Sequence, residues 1–558
     1  MTTVGEARRD ATLTTLAAEF WRWRTSTQPD SYDDIPRVPR PPGWLPDWSA
    51  AAVDRRRRAL REFGARHRRL DLTGAPVAVQ VDGRLLGSAL ARVQWELELL
   101  QGWRRDPCFY VDQSLVPVYH LLLPPPPFDE VRAAEIVRLL DHVPRTLRSA
   151  ERNLAGHAAP AFTQAALHLL EDAGRRVGEA AAALGPELPG GYTAPLRTAA
   201  EGARRALDRY QEWLSRQRLE HGDETSLGIA VGADALRFFL HRVALLPYPV
   251  DRLRELAKLE YDRATAAEAQ VRARGHTGHE SPLLPSAAAQ IARQRDDERE
   301  VRGFLSRTGL LELPAGLRHY RNAPMPDYLE PLSGLGVPHH TGTAPGEDAL
   351  RYIREPHSAL PYFQLAEARD PRLGVAHEGV HAWQLALAHQ HTDPLRRHYY
   401  DSVPHEGTAF YTEELLLTAG LFDDSPDSVL FLYGAMRLRA LRVEVDTGLA
   451  LGLCSVEQAA DRLARAVPMD RRTAWEEAVF FAGRPGQGLS YQVGKTQIRE
   501  LLSACAERQG PGFSLPDFHR RLWHESAVPF ALQRWELLGL RDQVDEAERL
   551  AGGEGPGG

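Results

Sequence analysis

The sequence predicts a mainly α-helical, multi-helix protein with a small β-sheet. Apolar residues recur at helical spacing through most of the chain, as at Leu13, Leu16 and Phe20. Pro- and Gly-rich joints, such as the prolines at 124–127, separate these helical stretches. From about residue 304 the segments become shorter, and residues 316–323 and 360–366 have the composition of strands, which predicts the sheet.

The pattern divides the chain into three regions. Residues 1–225 are predicted to form an N-terminal series of helices, and residues 226–550 a second helical region that carries the candidate catalytic motifs. The Gly-rich residues 551–558 are predicted to form a disordered tail. The sequence has no repeat of fixed period, so a solenoid is not predicted.

Composition restricts the class of protein. The chain has 558 residues, 43% of them hydrophobic, and can bury a large core. Its net charge of −7 and its lack of a basic patch predict no nucleic-acid partner. Cys108, Cys454 and Cys505 are too few and too widely spaced for a disulfide framework. The polar N-terminus does not resemble a signal peptide, and no run of about 18 apolar residues occurs, so we expect a cytoplasmic protein without a membrane partner.

The segment His377-Glu378-Gly379-Val380-His381 matches the zinc-hydrolase pattern H-E-x-x-H. On a helix, the imidazoles of His377 and His381 project from one face and can bind the same metal ion. Glu378 lies beside the first ligand, where it can act as a general base on a water molecule without being a ligand. The alternative interpretation is a buried helix with two partnered histidines.

A catalytic zinc site needs three protein ligands and one open position. Glu406 is the best candidate for the third ligand, because Pro404 favours a helix start just before it. His405 is the rival ligand. Glu413 lies seven residues after Glu406 on the same face and can orient a ligand histidine through a hydrogen bond. Alternatively, Glu406 is a carboxylate at a helix start, favoured there by the helix dipole.

These motifs resemble those of the DUF885 family, bacterial proteins with the helical zinc-peptidase architecture of gluzincins. The similarity covers about residues 300–545. Its ordered motifs are His377–Gly379 with His381–Gln384, Glu406–Tyr411 with Glu413, Arg439–Arg442 with Asp446–Leu449, Gly486–Tyr491 with Gly494-Lys495, and Phe513 with Phe518-His519. The resemblance implies a zincin-like channel fold of many helices around a Zn²⁺ ion, with the small sheet near the metal helix. It also implies a metallopeptidase-like hydrolase.

Two features depart from the family pattern. The family usually carries a Pro-Gly insertion between its two metal-site histidines, whereas His377 and His381 keep the compact spacing of four. The family also usually has a histidine after its D-x-G motif, and this chain has Ala450 there. The loss of one polar group is what an enzyme with a different reaction would show.

Three polar residues share one face of a later helix. Arg439, Arg442 and Asp446 are spaced i, i+3 and i+7, so Arg442 and Asp446 are expected to pair. Arg439 would then be free to bind a substrate carboxylate. Arg442 is the second candidate substrate-binding residue, and Asp446 would support the site. A salt-bridged surface is an equally good explanation.

Two further residues are candidate donors to a developing oxyanion. Tyr491 follows a Gly-rich turn and is expected at a helix start, where its phenol can face a cavity. His519, at another predicted helix start, is the second candidate. The alternatives are a core tyrosine and a histidine that serves a local cap. His339, His340, His389 and His391 do not have ligand spacing that fits the site, and are interpreted as structural or surface residues.

Together these observations predict a zinc-dependent hydrolase that cleaves an amide or peptide bond in a short peptide or small metabolite. His377, His381 and Glu406 would bind zinc, and Glu378 would accept the proton of the attacking water. An alternative, prompted by Ala450, is a zinc enzyme of another kind, such as a lyase or an enzyme that rearranges a metabolite in a biosynthetic pathway. A second alternative is a non-catalytic metal-binding protein, although such a protein would not need Glu378.

Overall fold

The computed structural model describes residues 4–30, 38–221, 228–274, 281–314, 316–342, 347–525 and 527–552. The structure is 72% helical and has a small three-stranded sheet, which confirms the mainly α prediction. Most of the predicted tail, residues 553–558, lies outside the described residues. None of the helices in these ranges is long and apolar enough to cross a membrane.

Before the sheet, the described chain forms twelve α-helices: α1 (Val4–Thr27), α2 (Ala50–Arg68), α3 (Val77–Gln94), α4 (Gly102–Arg105), α5 (Pro107–Leu122), α6 (Glu130–Leu154), α7 (Pro160–Leu170), α8 (Ala173–Leu184), α9 (Thr193–His221), α10 (Ala233–Phe238), α11 (Val250–Ala273) and α12 (Ala287–Arg307). Several helix starts are capped by a side chain: Asp129, for example, accepts a hydrogen bond of 2.8 Å from the Arg132 amide at the start of α6. Helix α3 continues as a π-helical segment over Trp95–Leu100.

The sheet has the strand order β1-β3-β2, with β1 at Tyr320–Pro324, β2 at His339–His340 and β3 at Ala349–Ile353. Strand β1 runs parallel to β3, and β2 runs antiparallel to it. The predicted strand at 316–323 overlaps β1, but the predicted strand at 360–366 is wrong. Residues Tyr362–Glu367 form helix α13 instead, because Pro361 stands at the N-cap and good helix formers follow it.

After the sheet, helices dominate as predicted: α14 (Arg372–Gly374), α15 (Val380–Ala388), α16 (Pro394–His398), α17 (Ser402–Thr418), α18 (Pro426–Leu451), α19 (Val456–Ala466), α20 (Arg471–Gly483), α21 (Gln487–Gln509), α22 (Leu515–His524), α23 (Phe530–Leu538) and α24 (Asp542–Ala551). A π-helical segment at Val375–Gly379 joins α14 to α15. The expectation of a regular helix through H-E-x-x-H is therefore corrected: its first half is π-helical, a conformation that often occurs at functional sites.

Two apolar clusters organise the core. The first joins the N-terminal helices to the last helices of the chain, since it contains Leu13 and Tyr110 as well as Trp535 and Val544. The second surrounds the metal helix and includes Trp383, Phe410 and Trp523. Because Trp383 is fully buried, the H-E-x-x-H segment runs through the interior, as its apolar sequence predicted.

Helices α17 and α21 cross with their backbones in contact. A Cβ atom at Gly407 would lie 2.5 Å from the Cα of Gly494, a distance that no side chain could occupy. Only glycine allows this approach at both positions. The crossing holds α17, which carries Glu406, against α21, which carries Tyr491, and this gives a physical reason for glycines in both motifs.

Candidate metal centre

Three side chains from two elements converge at one point. Nε2 of His377 lies 3.5 Å and Nε2 of His381 lies 3.3 Å from Oε2 of Glu406. His377 comes from the middle of the π-helical segment and His381 from the start of α15, which continues that segment, and Glu406 comes from the first turns of α17. All three side chains are largely buried, and their ligand atoms lie within 4.8 Å of one another.

The geometry of these atoms fits a zinc ion. Atoms that bind one tetrahedral zinc ion at about 2.0–2.1 Å lie about 3.3–3.4 Å apart, close to the two distances measured here. Oε2 of Glu406 is buried without a hydrogen bond, so an ion would satisfy it. Burial acts to raise the pKa of Glu406, but the His381 and His377 rings hold it well below its ordinary value. This donor set of two imidazoles and one carboxylate suits Zn²⁺.

Glu413 and Arg439 lie on the Nδ1 side of His377, opposite the nitrogen that faces Glu406. Oε1 of Glu413 lies 2.7 Å from Nδ1 of His377, and Arg439 binds both Glu413 oxygens at 2.6 and 2.9 Å. Burial lowers the pKa of His377, yet Glu413 and Glu406 raise it to about 9. Engaging Nδ1 leaves Nε2 directed at Glu406, as expected of a metal-ligand histidine. The expectation that Arg439 is free to bind substrate is therefore wrong, because it is buried against Glu413.

Glu378 lines a cavity of about 450 Å³. Its side chain is 21% exposed, and Arg351 and His339 lie 3.7 and 3.6 Å from its two oxygens. Burial acts to raise the pKa of Glu378, but Arg351, His339 and the two ligand histidines lower it to about 2. The carboxylate is therefore ionised at neutral pH and can accept a proton from a water molecule in the cavity.

The small sheet supplies the groups that surround Glu378. Arg351 on β3 lies opposite His339 on β2, and Nε2 of His339 lies 3.3 Å from the hydroxyl of Tyr320 on β1. Arg351 also contacts Glu367 at 3.0 Å. Burial lowers the pKa of His339 to about 4, so its ring is neutral at pH 7. His339 has no ligand spacing in the sequence, and only the strand pairing brings it beside Glu378.

Arg442 and Tyr491 form the wall beside His377. The Arg442 guanidinium lies 5.1 Å from the Tyr491 ring, and that ring is stacked 6.3 Å from the His377 ring. Tyr491 lies in the second turn of α21 and is thus brought to the site, as the sequence predicted. Arg442 pairs with Glu477 at 2.5 Å, so the expected pair with Asp446 is wrong.

Asp446 instead accepts hydrogen bonds from the backbone at the start of α21. The amides of Gly486 and Leu489 donate to it at 3.0 Å each. Asp446 is fully buried, and burial raises its pKa to about 7 although these backbone donors lower it. The residue thus fixes the beginning of the helix that carries Tyr491, and it acts on the site only through that helix.

The DUF885 profile, which describes bacterial proteins of unknown function, matches residues 39–308 and 323–535. The chain belongs to the DUF885 family. The match extends through the N-terminal helices, well beyond the segment from about residue 300 in which the sequence shows family motifs. No curated protein matches the chain.

Two solved structures are similar to this DUF885 fold. A candidate lipoprotein of unknown function from Shewanella oneidensis is 16% identical, with a TM-score of 0.66 over 96% of this chain and 100% of its own. A candidate lipoprotein from Colwellia psychrerythraea is 15% identical, with a TM-score of 0.74 over 99% of this chain and 100% of its own. At these identities the likeness shows the fold alone.

One DUF885 motif residue does not reach the metal centre. His519 is 1% exposed, and its nitrogens contact the Leu310 carbonyl at 2.7 Å and the Tyr411 hydroxyl at 2.9 Å. With both nitrogens engaged inside the core, His519 cannot donate to a substrate, and its assignment as an oxyanion donor is corrected to a structural role. His405, the rival ligand, stacks on the His381 ring at 4.0 Å.

Residue 450, where the DUF885 family usually has a histidine, also lies in the core. Ala450 is 1% exposed and packs in an apolar cluster with Trp95, Phe239 and Val443. Its carbonyl accepts hydrogen bonds from the amides of Val231 and Gly232 at 3.1 and 2.9 Å. The Ala450 carbonyl therefore links α18 to the segment before α10, and the Ala450 side chain is surrounded by apolar residues of the core.

Proposed function

We propose that this protein is a zinc-dependent hydrolase that cleaves an amide or peptide bond in a short peptide or small metabolite. The observation that carries the proposal is the convergence of His377 Nε2, His381 Nε2 and Glu406 Oε2, with the ionised Glu378 next to them in a cavity. A site for binding alone would need the three ligands but would have no use for an ionised carboxylate that faces the cavity.

Zinc, when bound to these three residues, supplies a Lewis acid that polarises the scissile carbonyl. Glu378 accepts a proton from the attacking water as the water oxygen bonds to the carbonyl carbon. The same carboxyl group then returns the proton to the leaving nitrogen when the C–N bond breaks, which gives an acid and an amine. Tyr491 is the candidate donor to the oxygen on which negative charge develops.

The cavity supports a small substrate. Its volume of about 450 Å³ is within the range of small-molecule pockets, and too small for a folded protein chain. Phe363, Trp475 and Phe480 contribute an apolar wall, whereas Glu367 and Glu378 are polar. A short peptide or a small amide fits this combination of size and lining.

The proposal is tested by assaying the zinc-loaded protein against a library of dipeptides and small amides. We expect the Glu378→Gln variant to retain zinc and to lose about 10²–10⁴-fold in kcat, since the general base is removed. Glu476→Gln, which changes another carboxylate on the cavity wall, is the matched control and should remain active. Full activity in Glu378→Gln would exclude the proposed mechanism.

A zinc enzyme of another kind has less support. That alternative depended on the loss of a polar group at Ala450, and Ala450 lies in an apolar cluster next to α10. No residue among the described site groups favours elimination or rearrangement over hydrolysis. The library assay discriminates the two, because a lyase would leave dipeptides intact.

A further inference from the structure

We propose that a second chamber, on the N-terminal side of the metal centre, binds an uncharged aromatic or aliphatic group of the substrate. This inference rests on the proposed hydrolase function and names the substrate class. The catalytic chamber is the cavity of about 450 Å³ that contains Glu378. The aromatic chamber is a separate cavity of about 200 Å³ whose wall includes Trp21, Trp48, Trp95, Trp103 and Phe239.

The two chambers share one wall. Asp106, Asp112, Gly483 and Arg484 line both, and Arg484 binds Asp112 at 2.7 Å. The residues of this ion pair therefore stand between the catalytic chamber and the aromatic chamber. Arg484 is only partly buried, with 27% of its side chain exposed, so the pair can rearrange.

Two aromatic rings connect the aromatic chamber to the candidate metal centre. Tyr400 lines the chamber, and the Tyr400 ring lies 5.4 Å from the ring of His405. His405 in turn stacks on His381, one of the three proposed ligands. Ser402 and Val403, at the start of the helix that carries Glu406, complete this side of the wall. The chamber thus lies close enough to receive a group attached to a substrate at the metal centre.

Charge decides which group the aromatic chamber accepts. Arg24 binds Glu96 at 2.5 Å, and Arg92 binds Asp401 at 2.5 Å, within the same wall. Together with Arg484 and Asp112, each guanidinium of the wall already has a carboxylate partner. An anionic ligand group would lose its hydration without gaining an uncommitted guanidinium, whereas an apolar group buries its surface against the indole rings.

The size of the chamber fits an aromatic ring system. An apolar cavity of about 150 Å³ is large enough to hold benzene. The aromatic chamber, at about 200 Å³, therefore accommodates a single aromatic or branched aliphatic group but not a whole peptide. We conclude that the substrate carries its reactive amide in the catalytic chamber and an apolar group in the aromatic chamber.

The test uses indole as a probe of the full-length protein after removal of metal with EDTA. Calorimetry should detect indole binding that is at least about tenfold tighter than binding of indole-3-acetate, since the carboxylate of this analogue must bury an uncompensated charge. The absence of indole binding, or equal binding of indole-3-acetate, would overturn the inference. The indole measurement involves neither zinc nor turnover. Its outcome therefore does not depend on whether the protein is a hydrolase, and a failure to bind indole would not contradict the proposed hydrolase function.

Two matched variants locate the binding. Ala89 lines the aromatic chamber and Ala165 the catalytic chamber, and both are buried. Ala89→Trp should weaken indole binding by at least about tenfold because it fills the chamber, whereas Ala165→Trp should change it less than about twofold. Leu100→Trp is a second filling variant if Ala89→Trp does not fold. A loss in Ala165→Trp that equals or exceeds the loss in the filling variant contradicts the assignment.

Discussion

Glu413 lies 2.7 Å from Nδ1 of His377 and holds both its oxygens against Arg439. The relationship links α17 and α18 to the metal helix through three buried side chains. It fixes the orientation of the His377 ring and leaves Nε2 for the proposed zinc ion. The carboxylate therefore matters for metal affinity although it is not a ligand.

Glu413→Gln should weaken zinc binding by about 10–100-fold, because the neutral amide no longer raises the basicity of the ligand imidazole. Competition with a fluorescent chelator measures the change in Kd. Glu477→Gln is the matched control, since Glu477 binds the neighbouring Arg442 in the same way but has no contact with His377. Equal affinities in the two variants would show that Glu413 serves only to neutralise Arg439.

His339→Phe should lower kcat by about 10–100-fold while zinc content stays unchanged, because a small displacement of a catalytic group is costly. His339 and Arg351 lie 3.6 and 3.7 Å from the two oxygens of Glu378 and limit where the carboxylate can move. His340→Asn is the control: His340 is the next residue, but it contacts Glu347 instead. Steady-state kinetics separate kcat from KM, and an effect on KM alone would indicate a role in substrate binding rather than in positioning Glu378.

Gly494→Ala should reduce the free energy of unfolding by about 1–3 kcal/mol, because a methyl group has no room where α21 crosses α17. Gly202, in the middle of α9, has open space at its Cβ position. Gly202→Ala should therefore stabilise the protein by about 0.5–1 kcal/mol through its helix propensity. Urea denaturation of both variants measures the difference, and a neutral Gly494→Ala would mean that the crossing is looser than described.

Lys495→Met should lower the free energy of unfolding by about 2–3 kcal/mol. The fully buried ammonium contacts Glu260 at 2.5 Å and Glu414 at 2.9 Å, and burial lowers its pKa although both carboxylates raise it. Arg263 and Arg499 still pair with these carboxylates, which limits the cost.

Lys258→Met is the matched control, because the chain has only these two lysines and Lys258 is 69% exposed beside Asp262. Its replacement should change the free energy of unfolding by less than about 0.5 kcal/mol. Thermal unfolding of both variants tests the contrast. Similar melting temperatures would contradict a stabilising role for the buried lysine.

The helical architecture and the two candidate histidine ligands could be predicted from the sequence, because both depend on local spacing. Helical periodicity is visible within one segment, and the H-E-x-x-H spacing places His377 and His381 on one side of a helix whether its first half is α- or π-helical. Glu406 could be proposed because ligand chemistry demands a third donor.

The partners of the arginines could not be predicted in this way. Spacing suggested that Arg442 pairs with Asp446 on its own helix, but Glu477 from α20 competes successfully, and Asp446 satisfies backbone amides of α21. His339 was missed for the same reason: only the pairing of β2 with β3 brings it next to Glu378. Tertiary packing determines these contacts, and a single sequence carries no periodic signal of it.

The proposed coordination is tested most directly by the zinc content of the purified protein after equilibrium dialysis. We expect about one zinc ion per chain in the wild type and in Glu378→Gln, and almost none in Glu406→Ala, since two imidazoles alone bind weakly. A full equivalent of zinc in Glu406→Ala, or no zinc in the wild type, would contradict a centre formed by His377, His381 and Glu406.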